Sequence, residues 1–284
     1  MTELEDITYS REGTIAAITE YYKFLTSMYV RDSRVIYPPP KGWPSIINAD
    51  PHLLQSFGKS DEVIALLAHL PYIQIVQGDE DVEAAPYCVF ADWQFLIECL
   101  GKPASNITSE GLHITTEGAT FAELCPPHVV GLTFGGRDNP VMVLDTKLGI
   151  IHWEDCFDQV EREYGANGVD YEPGDDDDAS EEEVAWRESA TAWAIPDFFE
   201  NLKAQFIKLN WIPISPYSVR STPMYTSPDE EDIVLMLQGI YHQHGWPDLA
   251  TYRKLDCLEA VQAALIERYP SHACSSSADR ASRS

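Results

Sequence analysis

Four residues within one short stretch carry side chains suited to moving protons: His128, Asp145, His152 and Asp155. An imidazole beside a carboxylate can work as a general acid–base pair, the carboxylate fixing the tautomer while the ring carries the proton. His128, Asp145 and His152 are the candidate acid–base site, provided the strand ends that hold them converge. The plainer alternative is polar residues at strand edges and turns. Other patterns support less. His242-Gln243-His244 sets two imidazoles two residues apart, and on a helix such positions do not share a face. A zinc-protease spacing needs histidines four apart with an intervening glutamate. Thr133-Phe134-Gly135-Gly136-Arg137 has paired glycines but opens no helix and lacks a lysine, so it is a poor phosphate cradle. The cysteines at 88, 99, 125, 156, 257 and 274 stand singly, with no CxxC pair to hold zinc. No metal and no cofactor is expected, and an enzymatic role is open but not favoured.

A second candidate site is a strip of charge. From Glu154 to Glu183 there are fourteen acidic residues and one basic residue, Arg162. Blocks of like charge repel and seldom pack, so the segment from about 154 to 185 reads as a mobile insertion. Asp175, Asp176, Asp177, Asp178, Glu181, Glu182 and Glu183 would form a docking strip for a basic partner. Calcium loops alternate ligands with turn residues, whereas these acids are contiguous and Gly174 precedes them.

The elements that would position these groups follow from apolar spacing. His128 to Trp153 holds three apolar runs, Val129–Leu132, Val141–Leu144 and Ile150–Trp153, separated by turn residues. That pattern reads as three consecutive strands of a meander. The middle run is apolar without a break, which suits a strand buried on both faces. Ile15, Ile18, Tyr22, Leu25 and Tyr29 line one face of an N-terminal helix, with the tyrosine hydroxyls expected near the rim. Pro38-Pro39-Pro40 reads as a rigid loop, with a polyproline II segment as the alternative. Residues 78–86 read as an acidic loop and 111–118 as turn-rich. Pro196 opens a helix with an apolar stripe of Phe198, Phe199, Leu202, Phe206 and Leu209, which should pack on the meander. Trp211 to Pro216 reads as a short edge segment. Ser227-Pro228-Asp229-Glu230 is a capping box that starts the first of two C-terminal helices. The expected architecture is a single α+β domain over residues 1–270, with a small mixed or antiparallel sheet at about 128–153 backed by helices. Residues 271–284 read as a disordered tail.

Composition narrows the function. The chain has 284 residues, with 46 acidic against 19 basic side chains and a net charge of −27. Nucleic acid is therefore not an expected partner, because phosphate contacts need a basic face. The same charge repels anionic membrane surfaces. The acidic start MTELEDITYS is unlike a signal peptide, so secretion is not expected and the cytoplasm or nucleus is.

Taken in order, these segments resemble the SUKH superfamily, whose members are fungal cell-wall-synthesis regulators and bacterial toxin-immunity proteins. The resemblance rests on the helix ITEYYKFLTSMY and on the run VVGLTFGGRDNPVMVLDTKLGIIHW. It rests also on the acidic loop that follows and on the aromatic-rich helix WAIPDFFENLKAQF. The long stretch before the sheet and the two helices after Pro216 depart from the family pattern. The resemblance implies an α+β fold and a protein-binding scaffold without catalysis, whose acidic surface steers basic partners. The alternative is an enzyme or accessory protein of small-molecule metabolism, with a pocket built around His128, Asp145 or His152. Neither the partner nor the oligomeric state is legible.

Overall fold

Most of the unbroken apolar run at 141–144 forms, with Asp145, an interior strand, Met142–Asp145, of a four-stranded antiparallel sheet. The computed structural model describes residues 2–102, 105–119, 122–136, 139–157, 160–161, 168–170, 181–188, 190–222 and 228–274. In chain order the elements are β1 (Thr2–Glu3), α1 (Arg11–Met28), β2 (Val35–Ile36), α2 (Pro44–Ile47), α3 (Pro51–Phe57), α4 (Asp61–Leu67), β3 (Tyr72–Ile73), β4 (Glu83–Ala85), β5 (Cys88–Val89), α5 (Trp93–Leu100) and α6 (Ser109–Glu117). They continue with β6 (Val129–Gly131), β7 (Met142–Asp145), β8 (Ile150–Glu154), β9 (Val169–Asp170), α7 (Glu181–Glu188), β10 (Ala190–Ala194), α8 (Ile195–Ile207), β11 (Trp211–Pro213), β12 (Val219–Ser221), α9 (Pro228–Gln243) and α10 (Lys254–Arg268). The fold is α+β, as the sequence pattern indicates. Among the described residues no helix is long and apolar enough to cross a membrane.

The main sheet runs β10-β8-β7-β6. Its register sets Val130, Leu144, Ile151 and Trp193 in one cross-strand row, with Met142 beside Trp153 in the next row on the same face. These side chains join the main apolar core. Aromatic contacts extend it: Trp153 meets Phe198 of α8 at 6.2 Å, Phe198 meets Phe199 at 5.2 Å, and Phe199 meets Tyr21 of α1 at 5.4 Å. The meander and the phenylalanine-lined helix therefore pack as their patterns require. Ala194 closes β10 and is also the N-cap residue of α8, whose Pro196 suits its first turn.

The structure departs from sequence expectation in several places. Residues 111–118 are not a run of turns but most of α6, whose N-cap Thr108 accepts from the Gly111 N–H at 3.0 Å. The acidic 78–86 stretch ends in the β4–β5 hairpin. The hydroxyl of Tyr29 lies inside rather than at the rim, and so does that of Tyr21, outside the expected stripe; they donate to the carbonyls of Glu83 and Ala84 at 2.5 Å each. That fastens α1 to the hairpin and satisfies two buried donors. Val169 and Asp170, inside the segment read as a mobile insertion, form β9 and pair in parallel with Thr2 and Glu3. Finally, Glu181, Glu182 and Glu183 belong to helix α7 rather than to a loop, because Trp186 and Arg187 anchor that helix against the sheet. Ser227 of the capping box and residues 275–284 of the tail lie outside the described residues, while the start of the tail is ordered, Pro270–His272 forming a 3-10 turn with His272 Nδ1 3.0 Å from Arg220 Nη1.

Candidate functional site

The second face of the sheet carries the groups that could do chemistry. The same register sets Val129, Asp145 and Ile150 in one row, and Val143, His152 and Ala192 in another. Asp145, the last residue of β7, is fully buried. Its Oδ1 accepts from the backbone N–H groups of Lys147 at 2.7 Å and Leu148 at 2.9 Å, closing the β7–β8 turn. Gly149 completes that turn at φ +75°, where a Cβ would come within 2.9 Å of the Tyr9 backbone nitrogen. The other oxygen, Oδ2, accepts from Arg187 Nη2 at 2.9 Å, and this guanidinium is almost wholly buried. His128 Nε2 lies 3.7 Å from the same oxygen. The His128 carbonyl in turn accepts from the N–H and hydroxyl of Thr146, at 3.0 and 2.8 Å.

His152 shares this face but faces a different neighbour. Its ring meets Trp186 of α7 edge-on at 4.9 Å. Burial first, and then the positive charge of Arg187, push the imidazole down to a pKa of about 3. The ring is neutral at ordinary pH and stays so far into acid. Arg187 also lies 5.2 Å from the Trp186 ring, so the helix is held by one aromatic and one charged side chain. The free space between α6, the sheet and α7, bordered by Cys125, Val143, His152 and Trp186, is about 10 Å³, room for a single water.

A second buried ion cluster closes the same face. Glu117, fully buried at the end of α6, lies 2.6 Å from Lys59 Nζ and 2.9 Å from His113 Nδ1. His113 stacks on Phe57 at 5.5 Å, and its Nε2 is 3.0 Å from the Phe57 carbonyl oxygen. Cys125 sits between the two clusters, and burial pushes its thiol up to about 12.

Convergence of the predicted acid–base residues is therefore partial. His128 and Asp145 meet, whereas His152 lies one row away under Trp186. An acid–base pair works best with a pKa near the operating pH, and a ring held at about 3 does not meet that condition. A carboxylate committed to two amides and a guanidinium acts as an anchor. Of the acidic strip, Asp175, Asp176, Asp177 and Asp178 lie outside the described residues, while Glu181 is exposed at the start of α7, and Glu182 and Glu183 follow in that helix. The histidine pair near Gly245 caps α9: His244 Nδ1 lies 2.7 Å from the Ile240 carbonyl and His242 Nδ1 lies 3.2 Å from that of Trp246. Among the described residues no group of His, Cys, Asp and Glu is placed to hold a metal.

Sequence reasoning missed Arg187, Lys59, His113 and Glu117. Only Arg187 left a signal: it is the one cation between Arg162 and Lys203, beside a tryptophan. A wider crevice of about 660 Å³ opens between the end of α6, the Gly135–Gly136 turn and the end of β8, with Thr115, Asn139, Glu154 and Phe157 on its walls. Burial, and then neighbouring Asp155, push the Glu154 carboxyl up. The fold and this face define an α+β protein whose second sheet surface is sealed by ion pairs. No protein-family model, no curated protein and no solved structure matches the chain.

Proposed function

We propose that this protein is a non-enzymatic scaffold of SUKH-like type that binds other proteins through an acidic surface. The observation that supports the reading is the Asp145–Arg187 clamp. It commits the candidate acid–base carboxylate to structure and fastens helix α7, at whose start the acidic run ends. The Glu181 end of the strip is thereby held at a defined place beside the sheet, and charge held there steers basic surfaces toward it. Free thiols at all six cysteines fit a reducing compartment, the cytoplasm or nucleus.

The test is capture of partners on the immobilised protein at low and at moderate salt. Partners held by the strip bind at low salt and dissociate as screening rises. A variant with Asp175–Asp178 changed to Asn and Glu181–Glu183 changed to Gln should lose them while melting like the parent. Partners that remain on this variant overturn the reading. The crevice beside Glu154 supports the second reading, a small-molecule site. Under that reading a metabolite raises the melting temperature, and Glu154→Gln abolishes the rise.

A further inference from the structure

The loop after β2 has a form that a structural connection does not need. Tyr37, Pro38, Pro39, Pro40 and Lys41 follow one another, and three of them cannot donate a backbone hydrogen bond. Tyr37, Pro38 and Pro39 each precede a proline, which holds them extended. The run carries no regular secondary structure until the turn at Pro40 and Lys41. Tyr37 is 50% exposed, and Pro39, Pro40 and Lys41 are exposed beside it. By contrast Tyr21, Tyr22, Tyr29 and Tyr72 are all buried.

Both ends of the run are pinned to one strip of chain. On one side β2 pairs with β3, and the Gln74 N–H donates to the Arg34 carbonyl at 2.8 Å. Arg34 itself is tied to Asp79 at 2.6 Å. On the other side the Gly42 N–H donates to the Pro39 carbonyl at 2.8 Å and closes the turn. Gly42 sits at φ +86°, and a Cβ there would come within 2.8 Å of the Ala68 carbonyl oxygen. Trp43 then donates from its backbone to Ala68 and from its ring to Leu70, both at 2.8 Å. Among the described residues, no backbone hydrogen bond reaches the carbonyls of Tyr37 or Pro38.

We propose that Tyr37-Pro38-Pro39-Pro40 is a recognition ridge for a partner domain that binds left-handed extended proline segments in an aromatic-lined groove. In a left-handed extended segment with three residues per turn, positions three apart such as Tyr37 and Pro40 share an edge, and here Pro40 also opens the closing turn. Aromatic grooves grip such edges, and their indole and phenol donors take the carbonyls the ridge leaves open. Lys41 follows and matches an acidic groove rim. The anchoring at 34–36 and 42–43 means the segment is already ordered, so binding costs little conformational entropy. This surface is independent of the acidic strip. Its contacts are mainly apolar and should survive salt that screens carboxylates.

The experiment uses the full chain against isolated domains of the three common proline-recognition classes, SH3, WW and EVH1, titrated by calorimetry at low and high salt. At least one class should bind, and salt should change the affinity little. P39A/P40A and, separately, Tyr37→Ala should each weaken that binding at least tenfold. Tyr87→Ala removes a tyrosine 63% exposed elsewhere on the surface and should leave binding unchanged. Thermal melts show whether P39A/P40A still folds, and Tyr37→Ala carries the test if it does not. The proposal is overturned if no class binds, or if binding ignores both ridge variants. Binding that ignores the ridge and vanishes in salt belongs to the acidic strip instead, so failure of one reading leaves the other standing.

Discussion

The two faces of the β10-β8-β7-β6 sheet are built on opposite principles. One presents Leu144, Ile151, Trp153 and Trp193 to an aromatic core that continues through α8 into α1. The other has a thin apolar cover of Val129, Val143 and Trp186, and relies on buried charges at Asp145, Arg187, Glu117 and Lys59. Apolar burial is non-directional, so the first face tolerates local change and gives way in proportion to volume removed. A buried ion pair offsets its desolvation only while both partners remain, so the second face fails abruptly when either one is lost.

Substitution should separate the two faces. Arg187→Met leaves the Asp145 carboxylate buried without its guanidinium and should cost about 3–5 kcal/mol in denaturant unfolding. Adding Asp145→Asn should recover a large part of that loss. Trp153→Ala should cost about 3–5 kcal/mol by opening a cavity, and no second polar change should rescue it. If Arg187→Met proves as mild as a surface change, the contrast between the faces collapses.

Acid titration sharpens the same contrast. The unfolded chain protonates His152 near its ordinary value of 6.5, whereas the folded chain does not until about pH 3. Stability from this group is complete above pH 6.5 and is lost as pH falls toward 3, at up to about 1.4 kcal/mol per pH unit. His152→Gln should flatten that slope in unfolding curves recorded across the window. Asp92, which caps α5 on the aromatic side, has the opposite sign. Burial raises its carboxyl from 3.8 to about 6, so the folded chain keeps a proton that the unfolded chain has released. Stability from Asp92 is greatest below pH 3.8, falls as pH climbs to 6 and is level above. Asp92→Asn keeps a side-chain acceptor for the cap and should gain at most about 3 kcal/mol at pH 7. No gain, or an altered slope above pH 6, would contradict that account.

How legible each face was follows from the range of the forces involved. The aromatic face could be read because apolar periodicity is local: β6, β7 and β8 lie within one residue of their runs, and Phe198, Phe199, Leu202 and Phe206 of the stripe lie in α8, with Leu209 just past its end. The charged face could not, because Asp145 and its guanidinium are 42 residues apart and the pair has no sequence pattern. Helix α6 was hidden by its threonines, which are poor helix formers. Here Thr115 and Thr116 donate back to carbonyls one turn earlier, and buried Leu112 and Glu117 tie the helix down. The β4–β5 hairpin lay under an acidic run that reads as loop until the tyrosines of α1 reach it.

Ala194 ends a strand and starts a helix with no residue between. The junction has no slack, and the chain turns there so that Phe198 in the first turns of α8 packs back on Trp193 of β10 at 6.1 Å. Tension drawn along β10 would load its five paired positions against β8 in shear, all at once rather than one by one. Any displacement of β10 against β8 would therefore bear directly on Phe198 and the aromatic core behind it.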